Sequence, residues 1–145
     1  MSGVARAPFA PIPFGDFHTR DVPHLLVEHS SMVARRPDGL APLTLSVGDE
    51  AATYRVVDGG VEVVEGVQSP RTHVALAAEA FGDFVHQLRS AFGLGYAGDL
   101  ECVTGSPLGL SRWEATLRAV WAGQDPALPE VEPLGADAPV AEQLA

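Results

Sequence analysis

The chain contains no lysine and no asparagine, and only one cysteine among its 145 residues. The missing lysine excludes a Schiff-base nucleophile and the phosphate-gripping lysine of a P-loop. Cys102, standing alone, cannot close an intrachain disulfide, and the cytosol is the expected compartment. No apolar run approaches the roughly 20 residues that cross a bilayer. Met1 to Phe14 holds one arginine and three prolines, without the continuous apolar stretch of a signal peptide. Positive charge is scarce as well. Nine basic residues, all arginine, face 19 acidic ones, for a net charge of −10. That balance argues against duplex nucleic acid and anionic membrane surfaces, both of which need clustered cations.

What is present is a change of hydrophobic rhythm. A length of 145 residues suits one domain with one core, and a hydrophobic share of 46% with a mean hydropathy of +0.11 suits a globular chain. Residues 1–15 are rich in Pro, Ala and Gly and read as irregular. Asp21 reads as a helix cap with Pro23 in the first turn. Val22, Leu25, Leu26, His29 and Val33 then share a face as far as Pro37-Asp38-Gly39. From Leu43 to Leu76 the period is two. The runs Leu43–Val47, Ala52–Val56, Val61–Val63 and Thr72–Leu76 predict four strands, cut by Gly48-Asp49 and Asp58-Gly59-Gly60. Short links favour an antiparallel meander. Helical spacing from about Ala78 to Ala91 aligns Phe81, Phe84, Val85, Leu88 and Phe92, with Gly93 and Gly95 as the stop. A fifth strand follows at Leu100–Val103. Ser106-Pro107 then opens a last helix carrying Leu110, Trp113, Leu117, Val120 and Trp121, closed by Gly123. Residues 124–145 combine acids with prolines and read as an acidic tail or linker. The folded domain is therefore expected over 16–123.

No residue cluster announces a reaction. His18, Asp21 and His24 supply two imidazoles and a carboxylate, but they crowd a helix start where Asp21 is needed as a cap, so surface histidines are the better reading and no metal is expected. Cys102 points inward from a strand and reads as a small hydrophobe. Gly93 to Gly98 leaves a helix and enters a strand, the reverse of a phosphate loop. Glu62, Glu65, Asp83 and Glu114 fall on polar faces, and none is paired for acid–base work. No catalytic residue and no cofactor are expected. The large residues Phe81, Phe84, Leu88, Phe92, Trp113, Leu117 and Trp121 come from only two helices. They either fill a core or line an apolar pocket, and their spacing is the same in both cases.

The order of elements resembles the sterol carrier protein 2 (SCP2) fold. GDEAATYRVVDGGVEVVEG is similar to its paired strands with a glycine hairpin. THVALAAEAFGDFV resembles its strand-into-helix step, and YAGDLECVTGSPLGL its glycine, short strand, glycine, helix step. Over about residues 22–123 a narrower likeness is to the N-terminal region of actinobacterial phytanoyl-CoA dioxygenase-like proteins. The resemblance implies an α+β fold, SCP2-like, with a five-stranded mostly antiparallel sheet and helices packed on one face. It implies a non-catalytic module binding an apolar, lipid or acyl-type ligand, with Tyr54, Val56, Val63, Phe81, Phe84, Leu88, Trp113 and Leu117 lining the cavity. The alternative is an accessory domain that docks on an iron/2-oxoglutarate oxygenase or forms a homodimer.

Overall fold

A computed structural model describes residues 11–127. The expectations for residues 1–10 and 128–145, including most of the acidic tail, lie outside the described residues. Helix begins at Phe14, inside the stretch 1–15 expected to be irregular. A first turn α1 (Phe14–Asp16) runs into a π-helical stretch (Phe17–Asp21) and then α2 (Val22–Glu28). Asp21 has right-handed helical backbone and makes no cap; its exposed side chain only nears Arg20, at 4.0 Å. The π stretch carries an extra residue per turn. Phe14 and Phe17, three residues apart, are both buried. After a break at His29, α3 (Ser30–Val33) ends the segment. His29 is the boundary histidine expected, its Nδ1–H donating to the Val120 carbonyl at 2.7 Å.

Alternating residues form the strands β1 (Leu43–Val47), β2 (Glu50–Val57), β3 (Gly60–Glu65), β4 (Thr72–Leu76) and β5 (Leu100–Thr104). Gly59, at φ +79°, makes the tight β2–β3 turn that the sequence calls for. The sheet order is β3-β2-β1-β4-β5. The expected four-strand meander is corrected here: β4 lies beside β1 and runs parallel to it, so the sheet is mixed. Residues 66–71 cross from one side of β1 to the other. Six extended residues reach about 20 Å, enough for the roughly 14 Å across three strand spacings.

This crossover straps the sheet face turned away from the helices. Thr44 and Thr53, side by side on that face, are fully buried. The Thr53 hydroxyl donates to the Gly66 carbonyl at 2.8 Å and accepts the Gln68 N–H at 3.0 Å. Its one proton is thereby used, so Thr44 is the donor in the 2.6 Å bond between the two hydroxyls.

On the other face, Leu43, Leu45, Ala52, Tyr54, Val74 and Leu76 meet the helices in one core. The helix expected over 78–91 is two helices, α4 (Ala78–Val85) and α5 (Ala91–Ala97). Gln87, at φ +61°, ends the first, and the Leu88 N–H folds back onto the Asp83 carbonyl at 2.8 Å. The Ser90 hydroxyl caps the second by accepting the Gly93 N–H. The break rotates Leu88 and Phe92 off the apolar face; they are 49% and 75% exposed. Gly93 and Gly95 thus lie inside a helix and do not end one. Asp83 and Glu114 are buried, where solvated faces were expected. Glu114 accepts the Ala91 N–H at 3.2 Å and pairs with Arg118 at 2.8 Å, which fixes α5 on the last helix, α6 (Leu108–Ala122). Beyond Gly123, Asp125 pairs with Arg35 at 2.7 Å.

Two fully buried threonines should respond oppositely to one substitution. Thr53→Val removes the strap's acceptor and donor and should cost about 2 kcal/mol in urea unfolding. Thr116, whose buried hydroxyl has no partner, should gain stability, by about 1 kcal/mol, as Thr116→Val.

Candidate functional site

The helical run from Phe14 crosses β2 at Tyr54, and there the interior becomes polar. Tyr54 is fully buried, so its hydroxyl needs protein partners. His18, one turn after Phe14, donates Nδ1–H to the Phe14 carbonyl at 2.9 Å. That fixes the tautomer, and the bare Nε2 accepts the Tyr54 O–H at 2.7 Å. The Tyr54 oxygen in turn accepts Trp121 Nε1–H at 3.1 Å. The result is a directional line, indole to phenol to imidazole to carbonyl, in which every polar atom is satisfied. Burial lowers the His18 pKa to about 4, against the opposing pull of its bond to Phe14. Burial likewise pushes the Tyr54 hydroxyl upward, partly offset by the Trp121 bond. His18 is therefore no surface histidine. The early helix start turns it towards the sheet, while Asp21 and His24 stay exposed.

Beside His18, a groove of about 530 Å³ opens between the helical run and the β2–β3 side of the sheet. Phe14, Pro23, Ala52, Val63, Val64 and Val67 make its apolar walls. Asp49, Glu50 and Glu65, all exposed, rim it, and no arginine does. Both His18 nitrogens are engaged, and the Thr19 hydroxyl donates to the Gly15 carbonyl at 2.9 Å. The His18 and Thr19 side chains thus keep their hydrogen bonds within the protein.

The residues expected from sequence divide into three groups. Tyr54, Phe81, Phe84, Trp113 and Leu117 come together as buried core. Their rings sit edge to face, Tyr54 at 6.1 Å from Trp113 and Phe84 at 5.7 Å from Trp121. Val56 and Val63 are half-buried, and of the whole set only Val63 lines the groove. Leu88 stands apart, exposed beyond the helix break. Sequence reasoning missed Phe14 and Phe17 and read His18 as a surface residue. Their i, i+3, i+4 spacing is a helical face, masked by the prolines just before it.

The lowered His18 pKa ties stability to pH. The unfolded chain binds a proton near pH 6.5 and the folded chain only near 4. The stabilisation is therefore complete above pH 6.5 and is lost as pH falls towards 4. His18→Gln should flatten the stability–pH curve over that window by about 2–3 kcal/mol relative to the unsubstituted protein, measured as paired urea midpoints at pH 7 and pH 4.5.

No protein-family model and no curated protein sequence matches the chain. Solved structures do. A conserved hypothetical protein of Thermus thermophilus, with sterol carrier protein as its suggested identity, aligns at 14% identity and a TM-score of 0.52. The alignment covers 85% of this chain and 95% of that one. The UbiJ-SCP2 ubiquinone synthesis protein aligns at 16% identity and a TM-score of 0.51, over 74% of this chain and 99% of that one. At such identities the likeness speaks for architecture alone: this is the SCP2-like fold, α+β, with helices against a five-stranded mixed sheet.

Proposed function

We propose that the chain is a non-catalytic binding module for an uncharged apolar ligand of lipid or acyl type, seated in the groove beside His18. The groove itself carries the reading. Its volume falls within the roughly 300–1,000 Å³ usual for ligand pockets, its walls are apolar, and its three rim carboxylates disfavour an anionic head. A non-catalytic role fits the state of His18, a titratable group in the groove lining. It is held neutral with both nitrogens bonded, which leaves no lone pair on this residue for general-base work. The SCP2-like architecture fits the same reading. Buried apolar ligand surface contributes about 25 cal/mol per Å² to such binding.

A second reading is an accessory module, docked on an iron/2-oxoglutarate oxygenase or on a second copy of itself. What favours it is the outward pair on α5: Phe92 and Tyr96, 75% and 87% exposed, stack at 6.0 Å.

Native mass spectrometry of freshly purified protein should show co-purifying lipid, and a fluorescent acyl methyl ester should be taken up. Val63→Trp, and separately Val67→Trp at an exposed position, should lower that uptake at least tenfold. Protein that carries no lipid and takes up no probe would sink the groove reading. Concentration-dependent sedimentation abolished by a Phe92→Ser/Tyr96→Ser double variant would favour the accessory one.

A further inference from the structure

A second cavity, of about 370 Å³, opens where β5 hands the chain to α6. Its position follows from two close approaches. Gly105, at φ +79°, lies against the Arg71 carbonyl, and Gly109 lies against the Thr72 side chain; a methyl group at either would overlap its neighbour. The first turn of α6 is thereby laid on the start of β4. That contact places Arg112 at the same cavity as Arg71, which immediately precedes Thr72. Trp113 closes the inner wall, its Nε1–H donating to the Ala41 carbonyl at 2.7 Å. Leu40 and Leu108 supply apolar surface at the mouth, and Leu108 is 61% exposed.

The charges here are unlike those elsewhere on the protein. Eight arginines fall among the described residues. Arg20, Arg35, Arg55, Arg89 and Arg118 each lie within 4.0 Å of a carboxylate. Arg36 donates to the carbonyls of Val33 and Gly59. Among the described residues, only the guanidinium groups of Arg71 and Arg112 have neither kind of partner, and both border this cavity. No carboxylate lines it, although the chain has 19 acidic residues. The first amides of α6 are already spent, Leu108 N–H on the Ser106 hydroxyl and Gly109 N–H on the Ser106 carbonyl. The charged donors left at the cavity are therefore the two arginines.

We infer that this cavity binds the oxyanion head of an amphipathic molecule. Arg71 and Arg112 grip a carboxylate or phosphate, and the attached apolar tail lies on Leu40, Leu108 and the edge of Trp113. Guanidinium suits such heads because its planar fork donates two parallel hydrogen bonds to one oxyanion. The site is separate from the groove beside His18 and does not depend on it.

Isothermal titration with decanoate, decyl phosphate, 1-decanol and inorganic phosphate tests the inference on the full chain. Both arginines are exposed, so Arg71→Gln and Arg112→Gln leave the core untouched. Decanoate or decyl phosphate should bind, more weakly as NaCl is added, and the double variant should lose at least tenfold in affinity. Which of the two binds more tightly identifies the head. Leu108→Ser should weaken the amphipathic anion and leave inorganic phosphate unaffected. The inference is overturned if neither anion binds, if the double variant binds as well as the parent, or if 1-decanol shows the same loss. Inorganic phosphate matching decyl phosphate in affinity would refute the role given to the tail. Val63→Trp should leave the anion titration unchanged, so a failed groove and a failed arginine site give different results.

Discussion

The fold hangs on one buried hydroxyl. Tyr54 sits at the middle of β2 with no solvent access, and an unsatisfied hydroxyl there costs about 1–3 kcal/mol. Its two partners come from opposite ends of the domain, His18 from the N-terminal helical run and Trp121 from the end of α6. Meeting that requirement sets where both helical segments cross the sheet. Phe14 and Phe17 then reach Phe81 and Trp121 by ring contacts of 4.9 and 6.1 Å. The polar line selects one arrangement of the aromatic core, where apolar packing alone tolerates several.

The same geometry sorts the charges. With ten more acidic than basic groups, the surface repels anions by default. The groove beside His18 shares that character through Asp49, Glu50 and Glu65, whose charge repels an anionic head. The cavity at the start of β4 is the exception. Two glycines let α6 approach β4 closely, and the approach concentrates unpaired positive charge where no acid intervenes. The two cavities therefore carry rims of opposite charge within one small domain.

Much of this was legible in the residues. Leu43, Leu45, Ala52, Tyr54 and Val74 alternate cleanly, and Gly48 and Gly59 punctuate them, so all five strands are found where periodicity puts them. The partner of β4 was not legible. Thr44 and Thr53 look like solvent-facing residues, and nothing local says that residues 66–71 will cover them. The break after Val85 was hidden because Gln87, and not a glycine, adopts the left-handed backbone. Phe14 and His18 were hidden because a π-helical stretch and the preceding prolines blur the helical period. The aromatic spacing on α4 and α6 gave the core correctly but did not distinguish a filled interior from a lined one. That depends on where the N-terminal rings go.

Those rings decide where a ligand fits. Phe14, Phe17, Phe81 and Trp121 meet over Tyr54, and lodging a ligand among them requires prising Trp121 or His18 off the hydroxyl. Each bond so broken leaves a buried polar atom unpaired, at about 1–3 kcal/mol, and separates rings whose contact contributes about 0.5–1.5 kcal/mol per pair. A ligand entering the groove beside Val63 forfeits none of this, because His18 and Thr19 keep their partners while the apolar walls are covered. In this chain the centre of the SCP2-like architecture is filled by packed side chains. At the seam between the N-terminal helical run and the sheet, where the proposed ligand would sit, admitting it breaks none of these contacts.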